Sequence, residues 1–155
     1  MRVIRVDRKR RVVLASGVFD LLHLGHVRFL EEAKRAGGEK AELIVIIARD
    51  KTVEKTKGKK PIMPEEQRRA LVESLKVVDA AVLGAEDFDV GKVIERIKPD
   101  VVALGYDQER MEQRVREYVE KHGLAVSVVR IPKFGEDELS SSSKIKQRII
   151  ENYSR

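Results

Sequence analysis

Five short runs of apolar and β-branched residues recur along the chain, at residues 12–16, 42–48, 80–83, 100–104 and 125–130, and segments of helical periodicity separate them. Strands that read as near-continuous apolar runs are buried on both faces. Joining such strands in parallel needs a crossover, usually a helix. Between the first two runs, Val27, Leu30 and Ala33 fall on one helical face of residues 24–36, and Gly37 and Gly38 stop the pattern. Pro64 followed by Glu65 and Glu66 is a helix start, with Pro64 in the first turn. Further helices are predicted at residues 89–97, 110–121 and 142–152. The alternation predicts a Rossmann-like, doubly wound α/β fold on a five-stranded parallel sheet. At 155 residues it suits a single domain, 1–155, with its ligand at the carboxyl ends of the strands where neighbouring connections diverge.

Composition narrows the chemistry. The chain has no cysteine, which removes disulfides, thiolate nucleophiles and Cys-ligated metals. No apolar stretch approaches the roughly 18 residues of a membrane span, and Met1 is followed by charge rather than by a signal-type apolar region, so a cytoplasmic location without membrane contact is expected. Net charge is +6, which favours anionic small-molecule partners. Aromatics make up 5% with no Trp, which argues against a base-stacking nucleic-acid platform and so against RNA binding. A basic segment at 5–11 reads as an arm or an edge.

Residues 16–26 read S-G-V-F-D-L-L-H-L-G-H, directly after the first strand and opening the first helix. That is the phosphate-binding position of this fold class: free amides at a helix N-terminus attract an anion, and a glycine admits it to the backbone. His23 and His26, three apart, can face one anion together. The third histidine, His122, reads as a helix C-terminal cap. Residues 51–60 carry Lys51, Lys55, Lys57, Lys59 and Lys60, either a solvated loop or a flexible basic lid over phosphates. Asp107, after Gly105 and Tyr106 at the end of the fourth strand, could accept hydrogen bonds from a nucleotide, help hold a metal, or cap the next helix.

Gly17, Phe19, Asp20, His23, Gly25 and His26 together resemble the G-x-F-D-x-x-H-x-G-H signature of the cytidylyltransferase-like nucleotidyltransferase family. The resemblance implies transfer of a nucleotidyl group from a nucleoside triphosphate to an acceptor phosphate, with pyrophosphate leaving. It implies that His23, His26, Lys57 and Lys59 are catalytic, the lysines matching the family's K-x-K pattern. It places Gly17, Val18, Phe19, Leu24, Gly25, Asp107 and the serines of the I-S-T-S-like run, Ser141, Ser142 and Ser143, at the nucleotide, with Phe134 available to stack on a base or flavin or to serve as a buried connector. Asp20, and Arg68 of the E-x-R helix start, are then substrate contacts.

Residues 42–50, 57–69 and 104–108 are most similar to the archaeal-type FAD synthase branch, which implies ATP and FMN as substrates and Mg²⁺ or another divalent cation as cofactor. No metal-ligating residue is assigned. A homodimer is what the resemblance suggests. The R-T-E-G that many members carry before the serine run is absent, with Lys133 a stand-in for its arginine, and branch members' C-terminal cysteines are absent too. The alternatives are a glycerol-3-phosphate or related alcohol-phosphate cytidylyltransferase and, more distantly, a non-catalytic anion- or RNA-binding module.

Overall fold

Each apolar run becomes a strand because alternate side chains can be buried on opposite faces of one sheet. The computed structural model describes residues 9–134 and 139–154. The elements are β1 (Val12–Gly17), α1 (Leu24–Ala36), β2 (Glu42–Ile47), α2 (Asp50–Lys57), α3 (Glu65–Glu73), β3 (Ala80–Leu83), α4 (Val90–Ile97), β4 (Val101–Gly105), α5 (Glu109–Lys121), β5 (Ser127–Ile131) and α6 (Ser142–Tyr153). The strands lie in the order β3-β2-β1-β4-β5, all parallel.

Alternation divides the core in two. Val13, Ala15, Leu43, Val45, Val101 and Ala103 face Leu30 and Ala33 of α1 and Val72 of α3. Val12, Leu14, Ile44, Ile46, Val102 and Leu104 face Val90, Ile94 and Ile97 of α4 and Val115 of α5. Burying one such aliphatic side chain contributes about 1.5–3 kcal/mol, so a one-residue register slip would exchange the two faces at heavy cost. Two aspartates hold the strands' starting edge. Asp79 Oδ2 accepts from Leu43 N at 2.7 Å, and Asp100 Oδ2 accepts from Val12 N at 2.8 Å.

The chain steps outward from β1 through β2 to β3, then returns to place β4 on the other side of β1. Connections leaving β1 and β4 therefore diverge, and the crevice between their carboxyl ends is the expected ligand position. Among the described residues no helix is long and apolar enough to cross a membrane.

Three expectations change. The basic run at 51–60 is not a flexible loop: residues as far as Lys57 form α2, with Asp50 in its first turn, Lys55 and Lys57 in its last, and Gly58 at φ 76° as its left-handed C-cap. Its single buried side chain, Val53, leaves no apolar stripe to read from sequence. Pro64 is the N-cap of α3 rather than a first-turn residue. The fifth strand begins at Ser127, two residues later than expected. Residues 5–8 of the basic segment lie outside the described residues.

Candidate active site

The loop from β1 to α1 is held in a conformation that its own residues disfavour. Phe19 and Leu21 have φ of 54° and 50°, and non-glycine residues in this region cost on the order of 1–3 kcal/mol each unless their surroundings enforce it. Asp20, between them, supplies the enforcement. Its Oδ2 accepts from Ile62 N at 2.8 Å, its Oδ1 accepts from Met63 N at 2.9 Å, and its carbonyl accepts from Ser142 Oγ at 2.5 Å. Phe19 is buried with its ring against Gly17, where an added Cβ would lie 2.8 Å from the ring.

His23 is the N-cap of α1 and His26 sits one turn in. Their rings stack with centroids 3.7 Å apart, and the Phe19 ring meets His26 edge-on at 5.3 Å. The main-chain N–H of His23 donates to His26 Nδ1 at 3.3 Å, so a neutral His26 carries its proton on Nε2. Burial lowers the pKa of both rings. That of His26 falls to about 3, with the neighbouring His23 adding to the effect and Asp20 opposing it. At pH 7 the pair therefore offers neutral N–H donors rather than two cations.

A depressed histidine pKa has a sign in stability. Between about pH 6.5 and pH 3 the unfolded chain binds a proton at His26 that the folded chain does not, so stability falls as pH drops through that window and levels below it. The slope is at most about 1.4 kcal/mol per pH unit. Urea unfolding at pH 7 and pH 4.5 should show His26→Asn losing less stability than the wild type on acidification. An equal loss in both proteins would rule out the depressed value.

The first turn of α6 comes in over the first turn of α1. Ser141 caps α6, its Oγ accepting from Lys144 N at 3.2 Å, while Ser142 donates to the Asp20 carbonyl. Ser143 is exposed. Gly25 permits the approach: a Cβ there would lie 2.8 Å from the Ser140 carbonyl oxygen and 2.9 Å from the His23 ring. Two helix N-termini thus converge on the histidine loop, an arrangement suited to polyanionic ligands. Since the obstructing atom is backbone, Gly25→Ala should displace α6 and lower turnover by about 10²-fold with an unchanged far-UV circular dichroism spectrum. Wild-type turnover in that variant would contradict the fit.

Arg68, expected at the substrate, has no accessible surface. Its Nε donates to the Met63 carbonyl at 2.9 Å, Nη1 to the Val18 carbonyl at 2.6 Å, and Nη2 to the Ala48 carbonyl at 2.8 Å and to Asp50 Oδ1 at 2.7 Å. One guanidinium thereby ties together the loops after β1 and β2 and the link into α3. Asp20 is 5% exposed and is committed in the same way. These two side chains hold the site together. Helices α2 and α3 also cap each other: Glu65 Oε2 accepts from Asp50 N at 2.7 Å, and Asp50 Oδ2 accepts from Glu65 N at 3.3 Å. Lys57 and Lys59 are exposed on either side of Gly58. Lys59 stands three residues before Ile62, whose amide Asp20 holds, so this end of the basic run is tethered to the histidine loop.

At the other side of the crevice, Gln108 joins β4 to β1. Its Oε1 accepts from Gly105 N at 2.8 Å and its Nε2 donates to the Ser16 carbonyl at 3.2 Å. Gln108, not Asp107, is the N-cap residue of α5, which leaves the exposed Asp107 free of the capping role weighed for it. Tyr106 is exposed, with Lys133 Nζ 5.6 Å from its ring centre. Phe134 packs against the α1-side core, and residues 135–138 of the segment that follows lie outside the described residues. Val18 lends its carbonyl to Arg68, and Leu24 is half exposed at the start of α1. His122 ends α5 and stacks on Tyr118. Sequence reasoning missed the role of Gln108. Among the described residues no group of three or more His, Asp or Glu side chains could hold a metal ion by itself.

The constellation is thus a pair of neutral imidazoles at two convergent helix N-termini, with exposed lysines on one flank and the β1–β4 crevice on the other. It can bind a phosphate chain and neutralise charge on it without a built-in nucleophile. The "Cytidylyltransferase-like" family model matches residues 14–148. A protein named FAD synthase from Ferroglobus placidus is 55% identical over 138 residues, which cover 89% of this chain and 87% of the relative. Another of that name, from Thermococcus onnurineus, is 43% identical over 147 residues, covering 95% and 96%. The solved structure of a protein described as a lipopolysaccharide core biosynthesis protein, from Thermoplasma volcanium, is 45% identical and superposes with a TM-score of 0.72, over 81% of this chain and 99% of that one. By family model, by sequence and by fold, this chain belongs to the cytidylyltransferase-like family.

Proposed function

We propose that the protein is an FAD synthase, transferring AMP from ATP to the phosphate of FMN and releasing pyrophosphate. The observation that carries this reading is the identity to archaeal proteins of that name, 43–55% along nearly their whole length, with the histidine pair at the expected phosphate position. The acceptor needs no general base, because a phosphate monoester with a second pKa near 6 is largely a dianion at pH 7. Its oxygen attacks the α-phosphorus in line, a P–O bond forms, and the bond to the bridging oxygen breaks, sending its electron pair out with pyrophosphate.

The enzyme's task is then to position the two substrates and to spread the developing charge. His23 and His26 donate to the oxygens of the transferring phosphoryl group. Lys57 and Lys59, carried on the end of α2 and the turn after it, neutralise the leaving phosphates, and the α6 N-terminus with Ser143 holds their far end. Gly17 and Gly25 let the chain of phosphates approach backbone. Asp107 faces the nucleotide at the β4 end. A divalent cation such as magnesium would supply counter-charge to the triphosphate when bound with it, and no residue of the chain is assigned to hold it. A cytoplasmic location and a homodimer belong to this proposal.

The reading is tested by pyrophosphate release in four reactions, crossing ATP and CTP with FMN and glycerol-3-phosphate. Turnover with ATP and FMN alone is expected. CTP with glycerol-3-phosphate as the productive pair would replace the proposal by the alcohol-phosphate cytidylyltransferase reading, and silence in all four would remove both acceptors.

A further inference from the structure

Both substrates of the proposed reaction carry a broad flat ring, adenine in one and isoalloxazine in the other, and an aromatic side chain is the usual surface on which such a ring is held. The chain has 4 phenylalanines, 3 tyrosines and no tryptophan, all within the described residues. Six of these rings are committed elsewhere. Phe19 is buried between Gly17 and the edge of His26. Phe29 and Phe134 pack on the α1-side core and Phe88 on the α4-side core, so Phe134, which the sequence offered for stacking, has its ring against protein. Tyr118 stacks on His122 with centroids 4.1 Å apart and donates to Glu95, toward the end of α5 that runs back to the starting edge of the sheet. Tyr153 ends the 12-residue α6, roughly 16 Å along the axis from its first residue.

The seventh ring, Tyr106, stands where a substrate would lie. It follows Gly105, the last residue of β4, at the carboxyl edge of the sheet, and β4 pairs directly with β1, whose end carries the histidine loop. Its strand is thus only about 5 Å from the histidine strand. The turn that carries it is pinned through Gln108, which accepts from Gly105 N at 2.8 Å and donates to the Ser16 carbonyl at 3.2 Å. Gly105 is in register with Ile131 of β5, so Lys133 leaves β5 beside the ring and sets its Nζ 5.6 Å from the ring centre, within reach of a cation–π contact. That ammonium takes one face, yet Tyr106 is still 48% exposed, which leaves surface for a second flat group. We infer that Tyr106, steadied by Lys133, is a specificity-determining residue: its ring is the surface on which the heteroaromatic ring of one substrate stacks. Phosphate at the histidine loop and a flat ring one strand away are the two ends of a single nucleotide.

The inference rests on the FAD synthase reading for its two candidate rings, isoalloxazine and adenine, so binding is measured without turnover. FMN is titrated alone through quenching of its fluorescence, and ATP with Mg²⁺ alone by calorimetry, against the wild type, Tyr106→Ala, Tyr106→Leu, Tyr106→Phe and Lys133→Met. Truncation at an exposed position leaves folding stability nearly unchanged. Tyr106→Ala should weaken one of the two ligands by about 10-fold and leave the other within twofold, and the ligand that weakens is the one whose ring stacks there. Tyr106→Phe should bind that ligand like the wild type, Tyr106→Leu like Tyr106→Ala, and Lys133→Met should weaken the same ligand to a smaller extent. Both dissociation constants within twofold of wild type in Tyr106→Ala, or Tyr106→Leu binding as well as Tyr106→Phe, would overturn the inference. Should the wild type bind both ligands and form no FAD, the proposed function falls while the binding result for Tyr106 stands.

Discussion

Replacing His26 with alanine is expected to lower kcat by about 10² or more, the typical loss when a preorganised donor to developing charge is removed. The ring is neutral, stacked on His23, and fixed through Nδ1. Its contribution therefore resides in one N–H at Nε2, and two near-isosteres separate the ring's two jobs. Asparagine reproduces the Nδ1 acceptor and should keep the loop intact while leaving turnover as low as in the alanine variant. Glutamine reproduces the Nε2 donor and should recover part of kcat. Steady-state kinetics with saturating ATP and FMN measures all three, and turnover within threefold of wild type in His26→Asn would exclude the charge-stabilising role.

Arg68→Met is expected to cost about 3–5 kcal/mol of folding stability, since each buried acceptor left without its donor costs about 1–3 kcal/mol. The loss has a local cause. The carbonyls of Val18, Ala48 and Met63 and a carboxylate oxygen of Asp50 would all lose their donor at a position with no solvent access. Lysine cannot substitute, since one ammonium cannot span four acceptors on three chain segments, and Arg68→Lys should lose most of the same stability. Equilibrium urea unfolding decides it. A change below about 1 kcal/mol in Arg68→Met would mean that these carbonyls are satisfied some other way and that Arg68 is not what gathers the loops.

How far the sequence carried this structure depended on whether a feature was local. Apolar runs such as residues 42–48 announce a doubly covered strand, and helix α1 could be bounded to the residue because Gly37 closes it. The histidine site was legible for the same reason, as a contiguous segment at a known place in the fold. Helix α2 was not, because only Val53 is buried and the rest reads as a solvated charge run, although Asp50, Lys57 and Gly58 are ordinary helix-end signals in hindsight. Asp20 and Arg68 were located correctly but given the wrong surroundings: a motif identifies the polar residue, while its burial is set by distant chain segments, 50 residues apart for Arg68 and Val18 and 122 for Asp20 and Ser142. Gln108 reaches Ser16 across 92 residues, and no periodicity or spacing encodes that contact. The separate bonds of Ser141 and Ser142 appear only once α6 is placed against α1.

The central claim is that the α-phosphoryl group of ATP moves to FMN. The most direct measurement incubates the protein with Mg²⁺, FMN and ATP labelled on either the α- or the γ-phosphorus and separates the flavins chromatographically. The account predicts α-label in FAD, γ-label in pyrophosphate, and the two products in equal amounts. Flavin that remains unlabelled FMN, or γ-label transferred to the flavin, would contradict it.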